Sequence, residues 1–265
     1  MTRTYTLVNQ KGGVGKTTTA INLGAYLAHA GQRVLLVDLD PQANATSCLG
    51  IAHAAVQSGT YEAMMGETPA SDSILTSARL QLSLLPSSAA LAGAQVELVN
   101  MPEREQRLRR ALDPLDGRFD YILIDCPPSL GILTINGLVA AASGVIIPVQ
   151  CEYLALEGLT SLMDTIRRVR SGLHPGLKVR GLLLTMYDGR TTLSHDVAEE
   201  VRRHFPGQVF EVVVPRSIRL AEAPSHGVPI SAYDPSSAGA MAYRALAAEL
   251  LKADGVKARV AATLA

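Results

Sequence analysis

Residues 11–18 read Lys-Gly-Gly-Val-Gly-Lys-Thr-Thr, two lysines five positions apart around three glycines. Glycine has no Cβ, so successive backbone N–H groups can turn inward and approach anionic oxygens. A helix that opens directly after such a loop adds the positive end of its dipole. The pattern G-x-x-x-x-G-K-[ST], after a strand and before a helix, binds the phosphates of nucleotides. Gly15, Lys16 and Thr17 fill its last three positions, while Gln10 stands where its first glycine belongs. In such a loop Lys16 reaches the β- and γ-phosphates and the Thr17 hydroxyl ligates Mg²⁺. Gly12, Gly13, Val14 and Thr18 complete the cradle. One lysine is enough for this chemistry, so Lys11 needs another explanation.

Carboxylates are also required near the metal. The stretch VLLVDLDPQ ends an apolar run on Asp38 and Asp40, two apart and therefore on one side of an extended chain. YILIDCPP ends another on Asp125. In an open parallel sheet the carboxyl ends of the strands converge on the ligand crevice. Asp125 is thus placed to hold Mg²⁺ through water, and either Asp38 or Asp40 to orient a water that attacks phosphorus.

Such groups are useful only on a scaffold that brings them together. Apolar runs recur at 4–9, 33–38, 82–86, 121–126, 144–150, 179–186 and 209–215, several apolar at every position as in strands buried on both faces. Helical patterns at 16–30, 88–100, 103–113, 131–142, 155–171, 191–204 and 236–252 lie between most of them. The alternation predicts an α/β fold: a doubly wound, mostly parallel sheet with helices on both faces, as in P-loop NTPases. Residues 50–80 read as short helices and a surface loop. No repeat or linker divides the chain, so one domain over 1–265 is expected, without a helix-turn-helix before the first strand.

Composition excludes several other roles. The 24 basic and 24 acidic residues cancel, so a polyanion has to be held by a local patch. Cys48, Cys126 and Cys151 have no CxxC spacing, which argues against a zinc site or disulfide framework and fits reduced thiols. No pair among His29, His53, His174, His195, His204 and His226 has metal-ligand spacing in a recognised motif. With no signal peptide and no apolar run long enough for a bilayer, a cytoplasmic protein is expected.

The motifs together resemble the ParA/Soj branch of the deviant Walker-A ATPases, relatives of MinD. The resemblance rests on KGGVGKTT (11–18), DLDPQANAT (38–46), YILIDCPPS (121–129), PVQCEYLALEGL (148–159), LLTMYDGRT (183–191) and VVPRSIRLAEAPSHGVPI (213–230), in order over nearly the whole chain. Ala43 and Ser217 depart from the glycine and asparagine common in the family. The resemblance implies that ATP with Mg²⁺ is bound and hydrolysed in a sandwich homodimer. It gives Lys11 a purpose, which is to cross to the partner's phosphates and so link hydrolysis to pairing. It also implies that Asp40 orients the water, that Asp38 assists at the metal and that Glu152 contacts the partner. Met186, Pro215 and Arg216 are carried over as nucleotide neighbours.

By the same resemblance Arg190 and Arg219, with Arg216 as a further candidate in the same stretch, belong to a face for nonspecific double-stranded DNA that is complete only in the ATP dimer. Pairing doubles the phosphate contacts, and affinity rises steeply with their number. Arg202 and Arg203 read as solvated helix charges. The implied role is chromosome or plasmid segregation on the nucleoid, with a ParB/Spo0J-type centromere-binding protein stimulating hydrolysis and release. Two other roles share parts of this pattern. A MinD-like membrane-cycling regulator needs an amphipathic C-terminal helix, but KADGVKARVAATLA offers only Val256, Val260 and Leu264 as larger apolar residues, so stable membrane association is not expected. An iron–sulfur protein needs ligating cysteines at an interface, and Cys126 has no companion at a suitable spacing.

Overall fold

Strands that are apolar at every position need cover on both faces, and the layers of this fold supply it. The structure, a computed structural model, describes residues 1–153 and 155–257. Among these, the strands are β1 (Arg3–Leu7), β2 (Val34–Asp38), β3 (Leu75–Ser77), β4 (Leu82–Leu85), β5 (Tyr121–Asp125), β6 (Gly144–Gln150) and β7 (Val179–Thr185). They form one sheet in the order β3-β4-β2-β5-β1-β6-β7, parallel except for β3. The α-helices are α1 (Lys16–His29), α2 (Asn44–Cys48), α3 (Thr60–Met65), α4 (Leu91–Glu97), α5 (Arg107–Leu112), α6 (Ile132–Ala140), α7 (Ala155–Gly172), α8 (Thr192–His204), α9 (Ile218–Glu222), α10 (Ile230–Tyr233) and α11 (Ala238–Ala253).

β2 illustrates the layering. Val34 and Leu36 enter a core shared with α1 and α11, while Leu35 and Val37 enter one shared with α3, α4 and α5. A further core joins β6 and β7 to α7 and α8. α8 and α11 begin where their sequences offer caps: the Thr191 and Ser237 side chains accept from Ser194 N–H and Ala240 N–H. At the start of β1, β5 and β7, opposite the phosphate loop, Tyr5, Tyr121 and Arg180 converge on Asp254 just beyond α11.

Two expectations need correction. Residues 209–215 are not a strand; isolated parallel bridges, Leu182 with Val209 and Tyr187 with Pro215, and one bond from Val214 N–H to the Leu184 carbonyl at 2.9 Å join them to the sheet. Between the bridges, Glu211 N–H and Val212 N–H donate to the Glu249 carboxylate of α11, at 2.9 and 3.2 Å, so their ladder bonds go to a side chain instead. Within 50–80 the structure adds β3, antiparallel to β4, with Leu75 opposite Leu84. Its residues are exposed or half-buried, so it carried no apolar run to read. Among the described residues no helix is long and apolar enough to cross a membrane. Arg259, Val260 and Leu264 of the considered anchor lie outside the described residues; Val256 packs partly against the core.

Candidate nucleotide site

β1 runs straight into the phosphate loop, and the first buried polar residue after it fixes the loop's path. Asn9 donates through Nδ2 to the Pro148 carbonyl of β6 at 2.8 Å, and its Oδ1 accepts from Lys11 N–H at 3.0 Å. Gly13 and Gly15 then take φ of +74° and +90°, the left-handed region where a Cβ is strained. Thr185 at the end of β7 donates to the Val14 carbonyl at 2.8 Å and holds the loop from below. α1 starts at Lys16 with no side-chain cap and no acid in its first turn, so its first amides remain available to an anion. A Cβ on Gly13 would meet nothing within 4 Å, which leaves the loop open on that side.

Lys16 lies only 6% exposed and donates through Nζ to the Lys11 carbonyl at 3.1 Å. Burial pushes its ammonium below the usual range, against the attraction of Asp125. Thr17 donates its hydroxyl to Asp125 Oδ2 at 2.6 Å. Asp125 and Asp38 sit side by side because they pair in register at the ends of β5 and β2. Asp38 accepts from Asp40 N–H at 3.2 Å and from Thr46 through both N–H and hydroxyl, at 2.8 and 2.7 Å. Burial pushes the Asp38 carboxyl up to about 6 despite these bonds. Asp125 is also raised, by burial first and by Asp38 second, with Thr17 and Lys16 opposing.

One oxygen of Asp125, Oδ1, is buried with no partner among the described residues. An unspent carboxylate oxygen, a threonine hydroxyl on the same carboxylate and a second carboxylate alongside make an all-oxygen donor set of the kind Mg²⁺ takes, with phosphate oxygens and water completing the shell. The residues therefore fit a magnesium nucleotide. Among the described residues no three His, Cys, Asp or Glu side chains are grouped to hold a metal. Cys126 and Cys151 are buried, 1% and 3% exposed.

The loop opens on a cleft of about 300 Å³. Gly12, Gly13, Gly15, Lys16, Thr17, Thr18, Asp40 and Met186 line it, all candidates from the sequence. Its far wall is Ala223, Pro224 and Val228, with Asn22, Asn44 and Cys48 nearby. These the sequence reading left without a role. The one signal was Asn22, an amide on the inner side of α1, whose Oδ1 accepts from Ile230 N–H at 2.7 Å and draws residues 223–230 over the helix. Pro215 and Arg216 lie outside the lining, in the bridge to Tyr187. Lys11 stands at the mouth, its side chain 40% exposed, in a 3.2 Å ion pair with Glu152 of its own chain.

The same bridge brings two of the candidate arginines together. Arg216 N–H donates to the Tyr187 carbonyl at 2.9 Å, beside the turn that carries Arg190. Arg190 grips Asp188 through two nitrogens at 2.8 and 2.7 Å, and with Arg216 pulls that half-buried carboxyl down to about 2. Arg219 pairs with Glu222 at 3.0 Å and Asp234 at 3.5 Å. The cluster is therefore partly neutralised within the chain. Arg202 lies elsewhere, acting on Cys151, and Arg203 pairs with Glu200 on α8.

A family model described as an AAA domain matches residues 2–179. The chain is 54% identical over 255 residues to the chromosome partitioning protein ParA of Myxococcus xanthus, covering 96% of this chain and 90% of that one. It is 52% identical over 250 residues to the sporulation initiation inhibitor protein Soj of Bacillus subtilis, covering 94% and 98%. Among solved structures it is similar to one described as cobyrinic acid a,c-diamide synthase from Mycobacterium smegmatis, with bound ADP and magnesium: 41% identity, TM-score 0.85, coverage 99% and 100%. It is also similar to the septum site-determining protein MinD of Pyrococcus horikoshii, complexed with Mg-ADP: 27% identity, TM-score 0.77, coverage 98% and 100%.

Proposed function

The chain belongs to the ParA/Soj family of chromosome-partitioning ATPases, and from that premise we propose that it is a DNA-partitioning switch closed by ATP and reset by hydrolysis. It is an ATPase that uses ATP with Mg²⁺. The loop amides and Lys16 hold the β- and γ-phosphates, and Thr17 with Asp125 and Asp38 holds the metal side. The bound ion offsets charge on the phosphate oxygens. Asp40, whose Oδ1 already accepts from Gln42 N–H at 2.9 Å, orients the attacking water. As that water's oxygen bonds to the γ-phosphorus, the bond to the bridging oxygen breaks, giving ADP and phosphate.

Before that step two ATP-bound copies face each other, and Lys11 leaves Glu152 for the partner's triphosphate. The observation that supports this reading most is the division of labour between the lysines. Lys16 is buried on its own loop, whereas Lys11 is half exposed and held by a single surface ion pair, a contact worth about 0–1 kcal/mol. Binding energy from a triphosphate can outbid it. The pair presents two copies of the Arg190, Arg216 and Arg219 cluster to DNA phosphates. A ParB/Spo0J-type partner speeds hydrolysis and so releases the DNA. The membrane-cycling alternative gains no support, since Val256 is partly occupied by the core.

The test is DNA retention without nucleotide, with ADP and with ATP, over a salt series. Retention should require ATP and fall steeply with salt, and Lys11→Ala should abolish it while still binding nucleotide. Equal retention in all three nucleotide states would rule out the switch. An ATPase rate unmoved by DNA and the cognate ParB-type protein together would remove the partner assignment.

A further inference from the structure

Tyr153 leaves 84% of its surface in water, and it is the one Phe or Tyr among the described residues that is exposed rather than half-buried or buried. An isolated surface aromatic needs no explanation, but this one stands in a fixed setting. Cys151, two residues earlier, is buried and donates its N–H to the Thr185 carbonyl at 3.1 Å. Ala155 N–H closes a turn on the Glu152 carbonyl at 3.0 Å. The turn is wired to the phosphate loop by Lys11 Nζ to Glu152 at 3.2 Å, and α7 just after it by Gln10 Nε2 to the Gly158 carbonyl at 3.2 Å. Gln150 adds a 2.6 Å bond to the other Glu152 oxygen. The ring therefore projects into solvent beside the start of the phosphate loop, on a segment tied to Gln10 and Lys11.

We propose that Tyr153 is the aromatic anchor of the surface on which a second copy of this chain docks when nucleotide is bound. This rests on the dimer reading above and names the residue that would supply its apolar contact. The charges beside the ring select the occupant. A twofold interface sets a patch against its own copy, so the patch must be self-complementary. Lys11, held by Glu152 next to Tyr153, is the group proposed above to cross to the partner's triphosphate, so the ring stands where a twofold copy has to approach. A DNA backbone would instead meet the Glu152 carboxylate. Tyrosine buries much area for the loss of few rotamers and is enriched at interface centres ringed by polar groups.

The experiment is sedimentation of the full chain with a non-hydrolysable ATP analogue and Mg²⁺, for wild type, Tyr153→Ala and Tyr153→Phe. Binding of the analogue at protein concentrations too low for pairing, and circular dichroism, are read alongside. All three should fold and bind the analogue alike as monomers. Wild type and Tyr153→Phe should dimerise, and Tyr153→Ala should do so at least about tenfold more weakly. A Tyr153→Ala protein that dimerises like wild type overturns the proposal, and one that also loses DNA retention assigns the ring to DNA instead. A wild type that stays monomeric at saturating analogue overturns the dimer reading itself, and the anchor with it.

Discussion

The Thr17 hydroxyl donates to Asp125 Oδ2 across 2.6 Å while Asp125 Oδ1, on the same carboxylate, is buried without a partner. Burying an unpaired carboxylate oxygen costs free energy, and folds keep such groups where a ligand will use them. Asp125→Asn should therefore cost about 10–100-fold in the Mg²⁺-dependent gain of nucleotide affinity, the range for groups that orient a metal's ligands. Nucleotide binding in chelator should change little. Titration of a fluorescent ATP analogue with and without Mg²⁺ measures both, and an unchanged magnesium gain would separate Asp125 from the metal.

Asp38 predicts a pH dependence of stability. Its folded carboxyl titrates at about 6, above the ordinary carboxyl value of about 4, because burial disfavours the charge. Between these values the folded chain holds the proton more tightly than the unfolded one. The contribution is thus fully present below about pH 4, is lost as pH rises to about 6, and is flat above, on the order of 3 kcal/mol in all. Asp38→Asn adds a constant cost, since an amide cannot accept all three bonds, but should remove this slope. Urea midpoints of the nucleotide-free protein from pH 4 to 7 give the difference between the two chains. Parallel curves would refute the assignment.

Lys16 and Asp40 line one cleft but should fail differently. Lys16→Ala deletes the buried cation on the loop and should abolish ATP binding. Asp40→Ala leaves the loop intact and should bind ATP within a few-fold of wild type while turnover drops about 10²–10⁴-fold, the range for a positioned acid–base group. Single-turnover hydrolysis beside equilibrium binding distinguishes the two. Wild-type turnover in Asp40→Ala would remove Asp40 from the reaction.

What could be read ahead of the structure was what is local in sequence. The buried strands announce themselves because every residue of VLLVD and YILID is apolar until the terminal aspartate. The loop announces itself by its glycines. Neither signal reaches across the chain. Residues 209–215 look like a strand, yet a glutamate some forty positions later takes two of their amides, those of Glu211 and Val212. The wall of Ala223, Pro224 and Val228 forms only because Asn22 binds Ile230 from far away in sequence. Likewise no spacing rule reveals that Lys11 rests on Glu152, or that Arg190 and Arg219 are each paired with neighbouring acids. The choice of partner for a charge is settled by tertiary packing, which local patterns do not encode.

The end of the sheet away from the nucleotide offers a test of stability free of function. Asp254, 6% exposed, accepts from Tyr5 at 2.7 Å, from Tyr121 at 3.0 Å and from Arg180 at 3.3 Å, and it lies 3.7 Å from Arg3. The carboxylate thereby fastens the C-terminal end of α11 to the first residues of three strands. Burial, reinforced by Asp254, pushes both tyrosine hydroxyls above their usual range, so they remain donors throughout the working pH. Removing one partner of a buried ion pair costs about 3–5 kcal/mol because the other charge is stranded. Here Arg180 and Arg3 are 20% and 35% exposed and water can recover part of their solvation. Asp254→Ala should therefore destabilise the chain by about 2 kcal/mol, seen as a lower urea midpoint. Affinity for Mg–ATP should stay within about twofold, since the loop sits at the opposite strand ends. A loss of nucleotide affinity larger than the loss of stability would mean that the two ends of the sheet are coupled.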